Sequence, residues 1–248
     1  MGMRRLFVAL TVAALGVGAS AAPAGATHSW GGYHWARTAN PFTLRVGDNV
    51  SAAWDGYLRT AATDWSKDTA GNPVNLNIVA GATKPRSCRV QTGHIEVCAA
   101  RYGYNGWLGI ASIWITSDLH IVKGTAKMND TYYSLPQYDT PIWRGVVMCQ
   151  EIGHTFGLDH QDESGADLHT CMDYADDPDA DNTHPNRHDY EELALIYGHV
   201  DSTTTIAAAP RGDAASTHVV STKWINHSTI VKRFADGSRL IRFIVWAR

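Results

Sequence analysis

Gln150-Glu151-Ile152-Gly153-His154-Thr155-Phe156-Gly157-Leu158-Asp159-His160 is the stretch from which the rest of the chain is best read. On a helix, positions 150 and 154 lie one turn apart on one face, so both side chains reach the same point. Glu151 is rotated by about 100°, beside that point rather than on it. Gly157 suits a left-handed helix end, where a Cβ would clash, and the turn returns His160 toward His154. Two imidazoles, an amide and a carboxylate at these offsets make a metal site with an adjacent base. The pattern departs from H-E-x-x-H-x-x-G-x-x-H at one position, where Gln150 replaces the first histidine.

With Cys171-Met172-Asp173-Tyr174 one loop downstream, the chain resembles the metzincin clan of zinc endopeptidases. The Gly153–His160 run is closest to its matrixin-like members. The resemblance is specific over about residues 142–198 and only architectural back to about residue 40. It implies an α+β, zincin-like fold, with a twisted mixed sheet packed on helices and a central active-site helix. It implies Zn2+ on His154, His160 and Gln150, Glu151 as general base toward a metal-activated water, and Met172 as the floor of the site. Tyr174 stands where astacin-like and serralysin-like members place a metal-proximal tyrosine, whereas matrixins usually have proline. Its phenol is read either as an oxyanion donor or as a packed aromatic.

Gln150 leaves three readings open. Its amide oxygen serves as a weaker zinc donor than imidazole; or His169 or Asp159 completes the set; or metal and chemistry are lost and a secreted binding module remains. The retained Glu151 favours an enzyme, because a scaffold has no evident need of that carboxylate.

Met1–Arg5 carries two arginines, Leu6–Val17 is apolar, and Ala24-Gly25-Ala26 is an A-x-A pattern. Residues 1–26 are therefore expected to be a signal peptide, and the protein secreted and extracellular, with no membrane span. Four cysteines in such a chain suggest two disulfides. Cys88–Cys98 and Cys149–Cys171 are the preferred pairing of three. The first would flank a hairpin tipped by Gly93, and the second would tie the helix to the methionine turn. A cysteine zinc site lacks any C-x-x-C pair.

The organisation expected is a metallopeptidase domain over 27–200, a linker over 201–216 and a C-terminal β-hairpin appendage over 217–248, turning at Asp236-Gly237. Trp54, Leu58, Ala61, Ala62 and Trp65 recur at helical spacing. Thr140-Pro141 starts the active-site helix, with Ile142, Trp143, Val146 and Val147 as its apolar stripe, and a closing helix begins at Asp189. Val74–Val79, Gly109–Thr116 and Leu119–Val122 read as strands, and the resemblance makes the last a candidate for the edge strand that pairs an extended protein or peptide substrate. His120 reads as a strand surface residue, and Trp30, Tyr33, His34 and Trp35 as packing.

From Asp162 to Asp181 the chain is acidic without a lysine or arginine. Such loops bind calcium in many matrixin-like domains, so Ca2+ is a second cofactor to consider, against a solvated loop of turn-formers. The mild net charge of -3 gives no field for nucleic acid. No nucleotide loop, nucleophile elbow or repeat is present, and a monomer is expected.

Overall fold

The computed structural model describes residues 28–174, 178–207 and 217–248. The signal peptide expected over 1–26 lies outside the described residues, as do Asp176, Asp177 and most of the expected linker.

The architecture is α+β: among the described residues, a nine-stranded mixed sheet with three α-helices. β2 (Phe42–Asn49) pairs in parallel with β3 (Val74–Ala80) and β4 (Ile95–Ala100), and β4 pairs in parallel with β6 (His120–Asn129). β5 (Trp107–Ile115) runs antiparallel to β6. β1 (His34–Trp35) lies parallel to the first residues of β6. In β2, Leu44 and Val46 are buried while Thr43 and Arg45 face solvent, the alternation of a strand with one covered face.

α1 (Ala52–Trp65) buries Trp54, Leu58, Ala61, Ala62 and Trp65, as its periodicity requires. α2 (Pro141–His154) starts as Thr140-Pro141 predicts, the Thr140 hydroxyl accepting from the Trp143 amide at 3.2 Å. Its last turn is held from outside, since the Trp65 indole donates to the Cys149 carbonyl and the Trp35 indole to the Thr155 carbonyl, each at 3.0 Å. Gly157 turns the chain away at φ +104°, where a Cβ would stand 2.1 Å from the Tyr33 carbonyl oxygen. α3 (Arg187–Ile196) begins two residues before the expected Asp189, because Asn186 and Asp189 form a capping box.

Three expectations are corrected. No hairpin forms over Arg89–Val97: β4 takes parallel partners instead, and Gly93 makes a turn at φ +81°. Leu119–Val122 is not an edge strand. Leu119 lies in the tight turn after β5 at φ +70°, and β6 is interior to the sheet. The C-terminal segment makes three strands rather than two: β7 (Val219–Trp224), β8 (Thr229–Phe234) and β9 (Arg239–Trp246). β8 and β9 turn at Asp236-Gly237 as expected, but β9 also pairs with β5 from Trp107 to Ile115, so the segment extends the main sheet.

Both preferred disulfides form, with S–S distances of 2.04 Å for Cys88–Cys98 and 1.96 Å for Cys149–Cys171. The second ties α2 to the turn carrying Met172.

Candidate metal centre in the cleft beneath β9

His154 ends α2 and is fully buried. Its Nε2 lies 3.1 Å from Nε2 of His160. The other nitrogen of each ring is already engaged: His154 Nδ1 with the Leu158 carbonyl at 2.9 Å, His160 Nδ1 with Glu163 Oε1 at 2.8 Å. A hydrogen bond from Nδ1 leaves the Nε2 lone pair free to ligate, the usual arrangement behind a metal-bound histidine. The hydrogen bond from His160 is also what chiefly holds the Glu163 carboxyl below its ordinary value.

Glu151 is buried completely, and among the described residues neither carboxylate oxygen has a hydrogen bond of normal geometry. Burial pushes its pKa well above the ordinary carboxylate range, and the Ala111 backbone opposes this only in part. Gly109 of β5 makes room for it, since a Cβ there would stand 2.4 Å from Glu151 Oε1.

Gln150 is buried too, and its amide nitrogen donates to the Asp173 carbonyl at 2.8 Å. That bond commits the nitrogen and leaves the amide oxygen as the side chain's lone-pair donor. The two other residues weighed as third ligand lie elsewhere. His169 is exposed and pairs with Asp167 at 3.4 Å. Asp159 is 4.0 Å from Nδ1 of His160, the nitrogen facing away from His154.

Met172 is fully buried against α2, its sulfur 2.6 Å from where a Cβ on Gly153 would stand. Tyr174 is edge-on to His160, ring centroids 5.0 Å apart, but its hydroxyl is engaged with β9. It accepts from the Trp246 amide at 3.1 Å and donates to the Ile244 carbonyl at 3.4 Å.

β9 also reaches the site. Phe243 stacks on the His154 ring, and Tyr174, Trp246, Arg248, Gln150 and Trp143 line a cavity of about 250 Å3 beside them. The only sequence signal was a β-rich run, Leu240–Trp246, which does not name its pairing partner.

The donor set fits zinc: two imidazoles whose Nε2 atoms meet at 3.1 Å and an amide oxygen one helical turn away, with the buried Glu151 carboxylate following Gln150 in the chain. In the acidic stretch, Asp162 accepts from Ser164 and Ala166 in a local turn, while Asp167, His169 and Asp179 form an exposed group.

No protein-family model matches this chain, and no curated protein does. Among solved structures, that of myroilysin is similar at 13% identity and a TM-score of 0.35, covering 66% of this chain and 96% of that one. A likeness of that size carries no argument about chemistry, so the site's own geometry has to. Among the described residues, no helix is long and apolar enough to cross a membrane.

Proposed function

We propose that the protein is a secreted zinc-dependent endopeptidase whose own C-terminal strand lies over its cleft. The observation carrying this reading is the approach of the His154 and His160 Nε2 atoms to 3.1 Å, with both Nδ1 atoms already bonded. His154, His160 and the Gln150 amide oxygen hold the metal. Bound zinc supplies Lewis acidity, polarising a peptide carbonyl and making water a better nucleophile at neutral pH.

Glu151 takes the proton from the attacking water and passes it to the leaving amine. Its carboxylate is fully buried and has no hydrogen bond of normal geometry among the described residues, which leaves it available for that task. An extended protein or peptide substrate runs along β5, the place β9 takes in the covered form, so main-chain pairing binds it with little regard to sequence. With β9 displaced, the Tyr174 hydroxyl is released toward the oxyanion. The two disulfides agree with export. The protein acts as a monomer, on neither nucleic acid nor membrane.

One observation favours a second reading, a non-catalytic secreted binding module: Phe243 and β9 seal the same histidines. Zinc content and casein cleavage, with and without chelator, separate the two. The proposal expects slow cleavage by the full chain, faster cleavage by Phe243→Ala, and none by Glu151→Ala, which keeps its zinc. Zinc retained by all three, with no peptide cleaved by any, would establish the binding module instead.

A further inference from the structure

A second cluster of ligand-type side chains lies outside the cleft. β1 and β6 pair in parallel with His34 opposite His120. The chain after α3 is laid against the same place, because the Asp201 amide donates to the Arg37 carbonyl at 2.8 Å and the Thr205 amide to the Ala36 carbonyl at 2.9 Å. His199 and Asp201 are thereby brought to the two strand histidines.

All three imidazoles present the same atom to one carboxylate oxygen. Asp201 Oδ1 is 3.4 Å from His34 Nε2, 3.4 Å from His120 Nε2 and 3.7 Å from His199 Nε2. His34 Nε2 and His199 Nε2 are 3.2 Å apart. Four donors about 2.0 Å from a tetrahedral zinc stand about 3.3 Å from one another. Among His34, His199 and Asp201 the observed spacings have that size, and their ligand-type atoms all lie within 4.8 Å of one another.

The surroundings point the same way. His34 Nδ1 bonds the Gly32 carbonyl at 2.8 Å, which leaves Nε2 with its lone pair. Asp201 Oδ2 accepts from the Arg37 amide and from Arg37 Nη1, each at 3.1 Å, which leaves Oδ1 for another partner. The guanidinium is the opposing charge here, and the carbonyls of Tyr197 and His199 hold it on the far oxygen. The His199 side chain is 53% exposed against 10% for His34, so a cation has a way in.

We propose that His34, His199 and Asp201 form a structural site for a divalent metal of the zinc class, clasping β1 to the chain beyond α3. Two imidazoles with one carboxylate favour zinc over calcium or magnesium, which take oxygen ligands. The site ties two distant segments of chain together, so the role is stability, and the assignment stands independently of any chemistry in the cleft.

The test uses the full-length oxidised chain, stripped with chelator and dialysed against zinc. In a His154→Ala background the assignment expects one tightly held equivalent, and none once His199→Ala or Asp201→Asn is added. Zinc at a hundredfold excess over its Kd should raise the Tm of His154→Ala by about 5–10 °C and leave the double variants unmoved. Cobalt in its place should give the intense visible absorption of a tetrahedral ion. A His154→Ala chain without zinc, or one whose equivalent survives both further substitutions, overturns the proposal. Two equivalents in the unsubstituted chain indicate that the cleft also loads, and one that survives His154→Ala indicates that only this clasp does.

Discussion

The ring of Phe243 lies flat on the imidazole of His154, centroids 4.0 Å apart and planes within 6°. Phe243 is fully buried, and its strand pairs with the one that shapes the Glu151 pocket. A residue near the chain's end thus covers the histidine at the end of α2.

Phe243→Ala is expected to have opposed effects on stability and activity. Removing a fully buried phenylalanine costs about 3–5 kcal/mol. The same change uncovers His154 and loosens β9, so casein cleavage per folded molecule should rise. Urea denaturation read alongside initial rates checks both; a variant both less stable and slower would count against β9 as a cover.

Gly109→Ala tests how Glu151 is housed. A methyl group there meets Glu151 Oε1 at 2.4 Å and Val147 Cγ1 at 2.5 Å, so β5 must lift from α2 or the carboxylate must move. Overpacking of this kind costs about 1–3 kcal/mol. The rate should fall more steeply than the folded fraction, which circular dichroism and hydrolysis on one sample will show.

The Cys149–Cys171 bridge closes a loop of sequence separation 22 between α2 and the methionine turn. Chain-entropy arguments put its contribution at about 3 kcal/mol. Replacing both cysteines by serine should lower the unfolding free energy by that amount in urea, and zinc affinity should fall with it because Gln150 loses its fixed relation to Asp173.

Glu192 predicts a pH dependence. Burial, chiefly, raises its pKa above the ordinary value, and Oε2 has no hydrogen-bond partner. The folded state therefore holds this proton more tightly than the unfolded state. Its stabilising effect is complete below the unfolded pKa and fades as pH rises through the folded one. Glu192→Gln should melt near the native protein at pH 4 and above it at pH 7, as thermal scans at both pH values would reveal.

How much of this could be read beforehand depends on whether the signal is local. α2 announces itself by Thr140-Pro141 and its apolar stripe, and α1 by Trp54, Leu58 and Trp65, because caps and helical periodicity act within a few residues. Strand partners are not local. Gly93 between Cys88 and Cys98 suggests a hairpin, yet β4 finds β2 and β6. Nothing in Leu240–Trp246 names β5 as its neighbour. Of the cleft, the spacing from Gln150 to His160 anticipates the pair at 3.1 Å, while the cover by Phe243 rests on a contact across 89 positions and has no sequence signal. His34 and His199 are likewise too far apart in the chain for spacing to suggest them.

Zinc binding by the cleft pair is the measurement closest to the central claim, made where the outer cluster cannot contribute. In an Asp201→Asn, His199→Ala background, the oxidised chain equilibrated with zinc should hold one equivalent, and adding His154→Ala should remove it. An equal zinc content in the two, whether none or one, would contradict the account.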